Sequence, residues 1–236
     1  MKLTLVRHAT LVLETSAGRV LVDPMLDAAG VRPAIEDTAN DLRNPLVDLP
    51  ADAASFVDGI DGVIVTHLHE DHFDGTAAHL LPPDIPMLTQ PESVDELRSR
   101  GFVAATADPE GWLGLDVART SGRHGTGELG RELGPVSGFV VGGVYVAGDT
   151  IWSDEVADAL ARHRPHAVIV NGSGARFVDG DAIVMDAADV RTLRDATDAT
   201  VVVVHLEAIN HCVERRDVYR AIDGVVVPAD GETLEL

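Results

Sequence analysis

The chain holds a single cysteine, Cys212, in 236 residues. A lone thiol excludes an internal disulfide and fits a reducing, cytoplasmic setting. Positive charge is scarce too: 18 Lys and Arg against 39 Asp and Glu leave a formal charge of −21. Nucleic acids are gripped mainly by Lys and Arg, so no nucleic acid partner is expected. The acidic balance favours solubility and says little about a small-molecule substrate. No apolar run nears the ~20 residues of a membrane span, so no membrane partner is expected either. The start, Met1-Lys2-Leu3-Thr4-Leu5-Val6, reads straight into a strand and lacks the apolar core of a secretory signal. What the chain does have is 45% hydrophobic residues, enough for a globular protein. Its length suits one domain over residues 1–236 with a large core. A homo-oligomer is compatible with all of this.

The densest chemistry lies at Thr66-His67-Leu68-His69-Glu70-Asp71-His72, directly after the β-branched run Val63-Ile64-Val65. Such a run makes a buried strand, and so many ligating side chains at its end belong on a loop between strand and helix. Alternate residues of an extended chain share a face, so His67 and His69 can point together. Asp71 and His72 lie past the bend and reach a second point. One loop thus offers a nitrogen pair to one cation and an oxygen–nitrogen pair to another. Imidazole with carboxylate suits zinc above all, and also manganese or iron.

This H-x-H-x-D-H pattern resembles the signature of the metallo-β-lactamase superfamily. The resemblance implies an α/β fold, the four-layer αββα sandwich, in which two sheets bring loops to one edge. The rest of the chain fits that plan. Residues 2–6, 11–13 and 19–22 form a strand meander, with His8 between the first two runs. His8 reads either as a turn histidine or as a neighbour of the metal loop that touches substrate. Residues 27–58 have little periodicity and make either a pocket wall, with Asn40, Asp41, Arg43 and Asn44 near substrate, or a solvated insertion. A helix over 75–81 stops at Pro82-Pro83, a strand covers 86–89, and a helix over 92–100 ends at Gly101. Strands follow at 102–106 and 113–119.

Ser121-Gly122-Arg123-His124-Gly125 breaks a strand around one histidine, which matches the superfamily's third histidine in order. A hairpin over 138–141 and 144–147 ends in Gly148-Asp149-Thr150. Asp149 matches the superfamily's bridging aspartate, and Ser153 or Asp154 is free to cap the helix over 153–164. His163 and His166 suit that helix's C-terminal dipole. The strand 168–170 leads into Asn171-Gly172-Ser173-Gly174-Ala175-Arg176, where Asn171 and Arg176 are candidates for substrate contact. A helix over 187–195 precedes the strand 201–204, which runs into His205. His205 matches the last histidine ligand, ahead of His211, because it follows the strand directly. A helix over 213–222 and an edge strand over 225–235 complete the chain.

Gly148-Asp149-Thr150 with the strand-end His205 is closest to the L-ascorbate 6-phosphate lactonase-like branch. What the resemblance implies is two divalent cations about 3.5–4 Å apart sharing a hydroxide. His67, His69 and His124 would hold one, Asp71, His72 and His205 the other, and Asp149 would bridge. Such a hydroxide cleaves an ester, lactone or phosphoester bond of a small molecule, with Asp71 and His211 as catalytic groups. A phosphodiesterase or nuclease of the same fold, or a metal-binding sensor without turnover, is the alternative.

Overall fold

A computed structural model describes all 236 residues. In chain order the strands are Lys2–Arg7 (β1), Thr10–Thr15 (β2), Gly18–Val22 (β3), Gly62–Val65 (β4), Met87–Thr89 (β5), Ala105–Thr106 (β6), Val117–Ser121 (β7), Ser137–Val141 (β8), Val144–Val146 (β9), Ala167–Asn171 (β10), Thr200–Val204 (β11), Val225–Val226 (β12) and Thr233–Glu235 (β13). The helices are Ala53–Val57 (α1), Gly75–Leu80 (α2), Pro91–Ser99 (α3), Gly127–Leu133 (α4), Asp154–His163 (α5), Ala187–Asp195 (α6) and Arg216–Arg220 (α7). One sheet runs β13-β1-β2-β3-β4-β5-β6 and the other β12-β11-β10-β9-β8-β7. None of the helices is long and apolar enough to cross a membrane.

The layering follows from strands that are apolar on both faces. Val63 and Val65 of β4 pack outward with Ala77, Leu81 and Leu97 from the α2–α3 side. Ile64, between them, packs inward with Phe139, Ile169 and Val202 of the other sheet. Val168 and Val170 of β10 likewise face Val156, Leu160, Val190 and Leu193 of α5 and α6. Side chains alternate along a strand, so a continuous apolar run fills two layers at once. Three apolar layers therefore separate helix, sheet, sheet and helix. This is the αββα sandwich of the metallo-β-lactamase fold. Each fully buried aliphatic side chain in it contributes on the order of 1.5–3 kcal/mol.

Several elements differ from the sequence expectations for local reasons. The strand expected over 113–119 begins only at Val117, because Gly111 and Gly114 turn with positive φ around a 3₁₀ turn at Trp112–Gly114. The helix expected over 213–222 shrinks to Arg216–Arg220, since the N–H groups of Val213 and Glu214 donate to Ser173 O instead. The last strand splits: Val225–Val226 pairs with β11, and Thr233–Glu235 pairs with β1 in the opposite sheet. Pro228 lies in the break and has no N–H for a ladder. Helices α1 and α4 lie outside the expected set. The irregular 27–58 segment is a strap held to itself and to the site: Arg32 and Asn44 form an isolated bridge, and Arg43 donates to the carbonyls of Gly30 and Val31.

Candidate metal centre

Strands β3 and β4 run parallel, as do β9, β10 and β11, and β1 and β7 run with them two strands away. Their carboxyl ends meet along one edge, the place where open α/β sheets present ligands. His8 follows β1, Asp23 follows β3, His67 follows β4, Asp149 follows β9, Asn171 ends β10 and His205 follows β11. The two edges touch directly, with His205 N–H donating to His8 O at 2.9 Å. Gly148 lets Asp149 turn in: its φ is +71°, and a Cβ there would stand 3.0 Å from Ser137 O.

Two groups of ligating atoms form. The nitrogens of His67, His69 and His124 lie within 4.8 Å of one another, with His67 Nε2 and His69 Nδ1 at 2.9 Å. Atoms of Asp71, His72 and His205, joined by His8, make the second group at the same spacing. Asp149 stands between them. Its Oδ2 faces His124 Nε2 at 3.7 Å and His67 Nε2 at 4.0 Å. Its Oδ1 faces His72 Nε2 at 3.2 Å and His205 Nε2 at 3.5 Å.

The far nitrogen of most of these rings is anchored. His72 Nδ1 donates to Asp23 Oδ2 at 2.9 Å, and His124 Nδ1 donates to Ile183 O at 2.8 Å. His67 Nδ1 meets Thr66 Oγ1 at 3.0 Å, whose hydroxyl donates on to Asp23, and His205 Nδ1 meets Ser173 Oγ at 3.4 Å. Donation from one nitrogen leaves the lone pair of the other facing the centre, as metal-binding histidines require. The Nε2 atoms of His72, His205 and His211 are buried without a hydrogen-bond partner. A buried orphan of this kind costs about 1–3 kcal/mol, so three in one place call for a cation. This donor set of imidazoles and carboxylates fits divalent first-row metals.

The electrostatics agree. Burial pushes His67 and His124 below the usual histidine range. Burial would raise Asp149 and Asp71, but the facing imidazoles outweigh it and hold both carboxyls well below their ordinary values. Those carboxylates in turn hold His72 well above its ordinary value, and His205 up at about 10, against the burial that would lower them. The centre is a sink for positive charge.

A cavity of ≈ 340 Å³ opens onto His69, Asp71, His124, Asp149 and His211. Its walls include Ile35, Leu68, Leu133, Phe177, Ile183 and Ile209, and the strap contributes Arg32 at its edge. Arg32 is itself engaged, with Nε 3.3 Å from Asp27 Oδ2 and Nη1 donating to Glu70 O. Glu70 turns its side chain to solvent. His211 Nε2 lies 3.7 Å from Asp71 Oδ2, where cavity and centre meet.

The three residues expected at substrate do not line this cavity. His8 is fully buried beneath Asp71, its Nε2 3.3 Å from Oδ2, and does not line the cavity. Asn171 is also buried, and its Nδ2 donates to Asp149 Oδ1 at 2.6 Å, because the last residue of β10 points into the edge rather than over it. Arg176 turns back to Gly174 O at 3.0 Å and does not line the cavity. Asn40 and Asn44 bond to Asn210, tying the strap to the loop that carries His211, and Asn44 reaches the cavity wall. Sequence reasoning missed Asp23, the anchor of His72. Its signal was Asp23-Pro24 at a strand end. Asp23, His8, Ser173 and His205 all have φ between 43° and 83°, a region non-glycine residues rarely occupy. Such strain gathers where side chains must be aimed.

Residues 18–206 match the Beta-lactamase superfamily domain. The chain is 36% identical to the UPF0173 protein YddR of Bacillus subtilis (strain 168) over 99% of both. It superposes with a TM-score of 0.89 on isothiocyanate hydrolase from Delia radicum gut bacteria, at 34% identity, covering 100% of this chain and 99% of that one. A possible metal-dependent hydrolase from Veillonella parvula DSM 2008 gives a TM-score of 0.92 at 29% identity, with 100% and 99% covered. With its His and Asp centre and these likenesses along its whole length, the chain belongs to the UPF0173 family of metal-dependent hydrolases in the metallo-β-lactamase superfamily.

Proposed function

We propose that the chain is a two-cation hydrolase acting on a small, uncharged substrate with an apolar tail: a lactone, an ester, or an isothiocyanate like that of the similar enzyme from Delia radicum gut bacteria. The observation that carries this reading is the cavity, whose floor is the His and Asp centre and whose walls are largely aliphatic and aromatic. Apolar walls with a few convergent polar groups favour a neutral, partly apolar molecule. A phosphoester would bring negative charge, and the cavity's one arginine already faces Asp27.

His67, His69, His124 and Asp149 would hold one divalent cation and Asp71, His72, His205 and Asp149 another, and such cations would supply Lewis acidity and acidify water. Asp71 then orients the attacking water and receives its proton. His211, within reach of both Asp71 and the cavity, delivers a proton to the departing oxygen or nitrogen. The aliphatic wall keeps bulk water from the reacting carbon.

The experiment is a screen of the metal-loaded protein against lactones, p-nitrophenyl esters, benzyl isothiocyanate and bis-p-nitrophenyl phosphate. Turnover of a neutral carbon electrophile, lost in His67→Ala and Asp149→Ala, supports the proposal. Turnover of the phosphodiester alone favours the phosphodiesterase reading. Stoichiometric metal without any turnover favours a sensor.

A further inference from the structure

We infer that His8 is a positioning residue for one half of the centre: it sets Asp71 and His205 in place without binding a cation itself. The inference rests on the two-cation reading above. His8 sits in the two-residue turn between β1 and β2 with φ +59°. Gly or Asn would hold that backbone with less strain. A histidine there needs another reason, and its side chain supplies one. The ring is wholly buried, Nε2 lies 3.3 Å from Asp71 Oδ2, and the residue's carbonyl accepts the N–H of His205 at 2.9 Å. An Nε2–H donated to Asp71 fixes which way that carboxylate turns, and the main-chain bond fixes where the second sheet delivers His205.

The ring spacing sets His8 apart from the candidate ligands. The centres of His8 and His205 are 3.6 Å apart with planes tilted by 37°. Ring pairs among the candidate ligands are more widely spaced: His67 and His72 at 4.2 Å, His67 and His69 at 4.4 Å, His72 and His205 at 5.4 Å. Imidazoles that share one cation keep their ring centres apart around it, whereas the His8 ring lies within van der Waals distance of His205, its plane tilted across that ring. It backs that ring and touches Asp71 from behind, as partners that orient metal ligands do.

The test uses the full chain with His8→Phe and His8→Gln, stripped by chelator and titrated with Co²⁺, read by its visible absorbance. Phe keeps a buried ring and loses the donor, while Gln keeps a donor of similar reach. In His8→Phe the first equivalent is expected to bind as in wild type and the second to weaken roughly 10–100-fold. The kcat for p-nitrophenyl acetate should fall while KM stays within about twofold, the pattern of a group acting on the centre rather than on substrate. His8→Gln should recover most of the second-site affinity. Wild-type titration in His8→Phe overturns the inference. Loss of the second equivalent in both variants also overturns it, since His8 would then be a ligand. Should His8→Phe fail to fold by circular dichroism, His8→Gln decides: second-site affinity near wild type supports the role, and a large loss overturns it. A wild-type chain that takes up fewer than two equivalents refutes the two-cation reading instead, before any variant is compared.

Discussion

Asp23 accepts the Nδ1–H of His72 at 2.9 Å, reaching a histidine 49 positions further along the chain. The same carboxylate accepts the N–H of Thr66 at 2.7 Å and its hydroxyl at 2.8 Å. One side chain at the end of β3 therefore shapes the whole start of the metal loop. Asp23→Ala leaves these buried donors unpaired, at about 1–3 kcal/mol each. Metal affinity should fall roughly 10–100-fold, as for other partners of ligand histidines. Chelator competition and thermal unfolding check both. Asp23→Asn keeps an acceptor and tolerates the positive φ, so it should lose less.

Asn171 performs the matching task for Asp149. Its amide donates to Oδ1 at 2.6 Å and has no path to substrate except through that carboxylate. Asn171→Leu should cost about 1.5–3 kcal/mol of stability, the scale of a hydrogen bond to a charged group. The kcat should drop more than KM changes, which a steady-state comparison with wild type reads directly.

Phe177 belongs to the cavity wall together with Leu133 and Ile183. Phe177→Ala removes apolar surface from any bound tail without touching the centre. For long-chain p-nitrophenyl esters, KM should rise about tenfold, the size of 1–2 kcal/mol of lost apolar contact. For p-nitrophenyl acetate it should hardly move. Equal effects on both would remove Phe177 from the tail's path.

Much of this was legible in the sequence because the informative residues are local. Val63-Ile64-Val65 followed by His67, His69, Asp71 and His72 states strand, bend and ligands within ten consecutive positions. Asp149 and His205 each end an apolar run, and with His124 in its glycine-flanked loop they matched the superfamily's ligands in order, which is what brought them together. Contacts made across the sheets were not legible. Whether Asn171 points at substrate or at Asp149 depends on which way the last residue of β10 faces. His8 read equally as a turn histidine or as a neighbour of the metal loop, because its partners, Asp71 and His205, are remote in sequence. The strap over 27–58 has no periodicity to read, since hydrogen bonds such as those of Asn44 with Asn210 hold it rather than a repeating apolar face.

Anomalous diffraction from metal-loaded crystals, recorded at the absorption edge of that metal, would show whether two cations flank Asp149. The expected map has two peaks, one among His67, His69 and His124 and one among Asp71, His72 and His205, with an Asp149 oxygen turned to each. A single peak, or peaks away from Asp149, would contradict the two-cation reading.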